Sequence, residues 1–202
     1  MVTMEEEKDG FPVFYADSAR AWRDWLERNH ASQSSVWLVI FKKDSQVPSL
    51  SVNEAIDEAL CFGWVDSKPN KRDDKSYYLY FSQRKPKSNW SKVNKDKVEY
   101  LIKLGKMTSS GWKMIELAKA TGTWDALNEV DSLLEPEDLA KALESNPTAK
   151  GYWGKFPPSA RRGILEWILN AKTAATRTKR ITETVLLAEK NFRANSYPKP
   201  KL

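Results

Sequence analysis

Apolar positions along the first half of the chain change period several times. In "ADSARAWRDWLERNH" Trp22, Trp25 and Leu26 fall three and four residues apart, the spacing of one helix face, and Asp17 or Ser18 supplies a capping oxygen. "SSVWLVIFKK" is short, rich in β-branched and aromatic residues and apolar on both faces, which predicts a central strand over 36–42. In "PSLSVNEAIDEALCFGW" Ser51 and Glu54 form a capping box, and Val52, Ala55, Ile56, Ala59 and Leu60 share one face. Gly63 ends this helix. "WVDSK" and "SYYLYFSQR" read as two further strands across the turn-rich "PNKRDD". In the second of them Tyr77, Leu79 and Phe81 alternate with Tyr78 and Tyr80, so aromatics lie on both faces and one face packs under the helices. The expected fold is α+β, with a small three-stranded sheet, antiparallel or mixed, and an all-helical C-terminal part.

Past "KPKSNWSK" the β pattern stops. A helix with Val98, Leu101 and Ile102 inward is expected from a cap at Asn94 to Gly105, and a second from Thr108 to Gly122. The acidic "TWDALNEVDSLLEPEDL" reads as a loose connection, and Pro136 opens the next helix. Asn146–Pro147 caps another helix. "PPSARRGILEWILNAKT" turns Ile164, Leu165 and Ile168 inward, with Trp167 beside them, and "ATRTKRITETVLLAEKNF" does the same with Ile181, Val185, Ala188 and Phe192. The expected organisation is an α+β domain over 1–124, an acidic linker over 125–135, a helical domain over 136–193 and a frayed tail over 194–202.

Composition sharpens this picture. In 202 residues, nine Trp and 41% hydrophobic residues point to a sizeable core rather than a disordered chain. One cysteine excludes an intramolecular disulfide. No run approaches a membrane span, and "MVTMEEEKDG" lacks the apolar stretch of a secretory signal, so a cytoplasmic location is expected. Acidic and basic blocks alternate: residues 1–60 and 125–144 are net negative, and 61–124 and 145–202 are net positive. Such an arrangement either steers a polyanion or neutralises itself within the fold.

Most standard catalytic constellations are missing. His30 is the single histidine and sits at a helix end, which rules out an ordinary zinc site; a Ser–His–Asp triad would need His30, and no GxSxG motif occurs. Glycine-rich phosphate loops are absent. Cys61 follows an apolar helix and reads as a small buried hydrophobe. Asp57 and Glu58 are expected on a solvated face, whereas Asp66 lies between aromatics beside Lys68. The chemistry points away from an enzyme, and neither a metal nor a cofactor is expected.

The segment 63–97 holds the remaining candidates. As a binding face, Arg84, Lys85, Lys87, Lys92, Lys95 and Lys97 surround Trp90, with Asn89 and Ser91 as donors, for an anionic ligand or a nucleic acid. As a small-molecule pocket, Trp64, Tyr78, Trp90 and Arg84 line a cleft, with Asp66 and Lys68 near it. As plain structure, Trp90 plugs the joint between strand and helix, and the lysines keep a sheet edge soluble.

The runs "EALCFGWVDS", "YYLYFSQRKPKSNWSKVN" and "LIKLGKMTSSGWKMIELAK", with "GYWGKFPPSARRGILEWILNAKTAATRTKRITETVLLAE" near the C-terminal end, resemble the YdeI/OmpD-associated or bacteriocin-protection family over roughly residues 14 to 192. The resemblance implies a terminal helical domain that contains the helix start "PPSARR", a stress-resistance or bacteriocin-protection role, and association with an outer-membrane porin as partner. Some family descriptions imply the periplasm. No catalytic residue comes with it.

Overall fold

The computed structural model describes residues 7–196, and the chain divides into two compact units, 1–125 and 126–202. The acidic start at 1–6 and the last residues of the expected frayed tail, 197–202, lie outside the described residues.

The first unit is built on a mixed sheet with five strands, not three. Strands β1 (Glu7–Lys8), β2 (Phe11–Tyr15), β3 (Ser35–Phe41), β4 (Trp64–Lys71) and β5 (Ser76–Gln83) stand in the order β1-β2-β3-β5-β4. The two strands missed in the sequence form a hairpin around Asp9 and Gly10. Both have positive φ (54° and 76°), as a two-residue type I′ turn requires. Their signal was an Asp-Gly pair, but β1 is only two residues long and β2 contains Pro12, which lower any strand expectation. Strand β2 runs parallel to β3, a pairing that needs a crossover; helix α1 (Ala19–Asn29) supplies it. Strand β3 is central, as its two apolar faces predict, and pairs antiparallel with β5.

Alternation along β5 sorts the faces. Leu79 and Phe81 pack with Trp22 and Leu26 of α1, with Ala55, Ala59 and Leu60 of α2 (Val52–Cys61), and with Val98, Leu101, Ile115 and Ala118 from α3 (Lys92–Lys103) and α4 (Ser109–Thr121). Tyr78 lies on the other face with Val39 and Phe41. The Ser51–Glu54 capping box forms as its spacing predicts. Ser91, not Asn94, caps α3: its hydroxyl accepts from the Asn94 N–H, one helical turn earlier than expected.

The second unit packs helices α5 (Asn128–Asp131), α6 (Glu137–Glu144), α7 (Pro147–Trp153), α8 (Pro158–Leu169) and α9 (Ala174–Glu189) around Leu139, Leu143, Trp153, Ile164, Leu165 and Ile168. Helix α5 lies in the acidic stretch read as loose and buries Val130, with Leu127 buried just before it. Arg162 binds Asp131 at 2.8 Å and Arg177 binds Asp138 at 2.6 Å, so these basic groups meet acidic ones inside the unit. Phe192 does not join the inward face of α9. It follows the helix end and is 41% exposed, because the positive φ at Asn191 turns the chain away from the helical register.

Candidate anion-binding site

The end of α2 governs how segment 63–97 begins. Gly63 has φ +73°, a conformation that glycine adopts without a Cβ clash, and a Cβ there would meet Met114 Cγ at 2.7 Å. The turn swings Trp64 into the core, where its indole N–H donates to the His30 carbonyl at 3.3 Å and its ring meets Trp25 edge-on. Arg84, at the far end of β5, returns its N–H to the Gly63 carbonyl at 3.0 Å. The start of β4 and the exit of β5 are thereby held together.

From there the chain turns through Lys85–Asn89 and buries Trp90. Its N–H reaches the Thr123 carbonyl at 3.2 Å and its ring lies 5.0 Å from that of Trp124. The guanidinium of Arg84 covers the ring at 3.8 Å, a desolvated cation–π contact of about 2 kcal/mol. Trp90 is 1% exposed and Arg84 is 5% exposed.

Arg84 is unusual in its hydrogen bonding. A guanidinium carries five N–H donors. Here Nη1 makes two long contacts, to Ser88 Oγ at 3.3 Å and the Asn89 carbonyl at 3.4 Å, and Nε, shut from solvent, has no partner. Burial lowers its pKa to about 10, and the negative charge of Asp66 opposes that change.

Asp66 stands opposite Phe81 in the ladder, so it shares the helix-facing side of the sheet. One extra residue follows it: the register slips between Asp66 and Pro69, a bulge that carries Lys68 into solvent. Burial raises the Asp66 pKa above the usual carboxylate value, against the pull of its own backbone N–H, Arg84 and Lys97. Lys97 of α3 binds Asp57 of α2 at 2.6 Å. Asp66, Arg84, Lys97 and Asp57 thus form a mixed cluster in which one ion pair is closed and the buried guanidinium has no carboxylate bonded to it.

The structure divides the residues singled out in the sequence. Asp66, Arg84, Asn89 and Trp90 come together, with Ser91 capping the helix beside them. Lys68, Lys87 and Lys92 are exposed around them. Tyr78 is on the opposite sheet face, and Trp64 is 1% exposed in the core. Neither Trp64 nor Trp90 leaves a ring face open for a base to stack on. Lys97, one of the cations expected around Trp90, enters the cluster from α3 through its ion pair with Asp57.

Asp57 and Glu58 are not merely solvated. Glu58 is 5% exposed and is held by Arg23 at 2.7 Å and Lys106 at 3.2 Å. The aliphatic neighbours of α2 hid this, because Arg23 and Lys106 come from distant parts of the chain. Cys61 is wholly buried, and desolvation pushes its thiol up to about 11. Among the described residues no group of three or more His, Cys, Asp or Glu could hold a metal ion, and no helix is long and apolar enough to cross a membrane.

Two family models match the chain. A domain of unknown function (DUF8412) matches residues 14–114, which hold β3, β5 and the Arg84 cluster. The model described as bacteriocin-protection, YdeI or OmpD-associated matches residues 133–191, within the helical unit. The match to the second family covers the helical end, not the sheet where the resemblance was also read. No curated protein matches, and no solved structure matches.

Proposed function

We propose a binding role, without catalysis, for this chain, which belongs to the DUF8412 family of domains of unknown function and carries a YdeI- or OmpD-associated module over residues 133–191. The ligand is a small anion, a carboxylate or phosphate, held by Arg84. One observation carries this reading: a buried guanidinium whose Nε lacks any partner and whose Nη1 contacts are long. An uncompensated buried charge is expensive, and a carboxylate or phosphate matches the guanidinium fork with two parallel bonds. Trp90 holds the plane of the guanidinium from below. The exposed Lys85, Lys87 and Lys92 raise the local concentration of anions. Asp66, whose pKa burial raises, stands in the same cluster, and its carboxyl group can bond a second polar group on the ligand.

A binding protein fits the bacteriocin-protection description of the C-terminal module. The role in the cell is tested by the survival of a deletion strain under challenge with bacteriocins and cationic peptides; unchanged survival would count against it.

The site itself is tested by NMR of the arginine Nε–H signals during titration with inorganic phosphate and with succinate. The Arg84 signal is expected to shift saturably with one of them, and the melting temperature to rise with it. Arg84→Lys keeps the charge but loses the fork, so the stabilisation should disappear. An Arg84 signal unmoved by either anion would sink the reading.

A further inference from the structure

The sheet face away from α1 and α2 carries a second site of different chemistry. Trp37, Tyr78 and Tyr80 lie together there on β3 and β5, with Trp37 to Tyr80 at 4.8 Å and Trp37 to Tyr78 at 5.9 Å between centroids, and Phe11 edge-on to Tyr80 at 5.6 Å. The ammonium of Lys8 stands over two of these rings, 5.1 Å from the Trp37 centroid and 5.4 Å from that of Tyr78. Asp9 places a carboxylate 3.2 Å from the same nitrogen. Ring faces converging on a cation with a carboxylate at the rim form an aromatic cage, the arrangement that recognises organic ammonium ions.

We propose that this cage is a binding site for a small quaternary ammonium ion and that Lys8 is its internal, displaceable occupant. A primary ammonium is strongly hydrated and has three N–H donors. Among the ring faces of Trp37 and Tyr78 it surrenders that hydration, and Asp9 is its ion-pair partner. A quaternary ammonium has no N–H to leave unsatisfied and less hydration to lose, so it takes better advantage of the rings. Lys8 is also easily withdrawn. It belongs to a strand of two residues at the sheet edge, next to the tight turn at Asp9–Gly10. The indole Nε1 of Trp37 is shut from solvent without a partner, so the cage also holds an unused donor for an oxygen on the ligand.

The test follows the methyl protons of tetramethylammonium as the intact protein is titrated with it. Binding against ring faces moves that signal upfield. A saturable upfield shift is expected with the native protein. Lys8→Ala should tighten binding about fivefold, the equivalent of one cation–π contact removed from competition. Asp9→Asn keeps the turn, since asparagine tolerates the same left-handed backbone, and should weaken binding by a similar factor. Absence of a saturable shift with the native protein overturns the proposal, whether or not Lys8→Ala binds. So does a shift that neither substitution alters. Phosphate at Arg84 and tetramethylammonium here are read by separate signals, so each can fail without the other.

Discussion

A single buried charge in this protein has its consequences set by what surrounds it. Asp66 shows this most directly. Its pKa lies above the usual carboxylate value, so the folded protein binds that proton more tightly than the unfolded chain does. Its ionisation therefore opposes folding: the penalty is absent below the ordinary carboxylate pKa and grows as pH rises through the elevated one. Asp66→Asn is expected to melt higher than the native protein at pH 7, with the gap closing below about pH 4. Melting curves across that range check it, and a gap constant with pH would contradict it. Glu58 is a buried charge that is directly paired. Arg23 and Lys106 both depend on it, so Glu58→Gln should cost about 2 kcal/mol in urea unfolding, less than for a wholly buried pair because Arg23 reaches solvent. The sequence announced Asp66 through its aromatic neighbours. It was silent on Glu58, whose two partners lie 35 and 48 positions away.

At the level of elements, glycines report how closely helices approach. A Cβ on Gly111 would meet the Cys61 carbonyl oxygen at 2.3 Å and its carbon at 2.9 Å, both backbone atoms that cannot swing aside. Helix α4 crosses the end of α2 at this point, and Thr108 ties the two together by donating to the same carbonyl at 2.7 Å. Gly111→Ala should force them apart and destabilise by about 2 kcal/mol. Gly163, inside α8, has open space where a Cβ would go. There alanine gains helix propensity at no steric cost, and Gly163→Ala should stabilise by about 0.5–1 kcal/mol. The two variants compared by chemical denaturation make the test, and effects of equal sign would refute the close-approach argument. Helix existence and most caps were legible in the sequence, because capping chemistry is local: Ser18, Ser51, Thr108 and Asn146 all accept the N–H that their positions predict. The cap of α3 was misplaced because Ser91 and Asn94 are both good caps, and only the path of the chain out of Trp90 chooses between them.

Over the whole molecule, each of the two units has its own buried apolar cluster. Fragments 1–125 and 126–202 are accordingly expected to unfold cooperatively on their own, each with a single urea transition; a fragment lacking one would show that its core is not sufficient. By itself the sequence determined the α+β class, the helical C-terminal part, the central strand, the hairpin of β4 and β5, and the YdeI/OmpD-associated likeness of the helical module. These rest on periodicity, capping and turn residues, which act over a few positions. Only the tertiary structure decided the five-stranded sheet, since a two-residue β1 and a Pro-containing β2 become strands through pairing. It also decided the fate of segment 63–97. The aromatics that made this stretch look like a stacking surface are drawn inward by the area they bury, and one arginine goes with them. The physical reason is that burial belongs to the whole fold: the alternation along β5 shows that two faces exist, but which groups find partners there depends on residues brought from far along the chain.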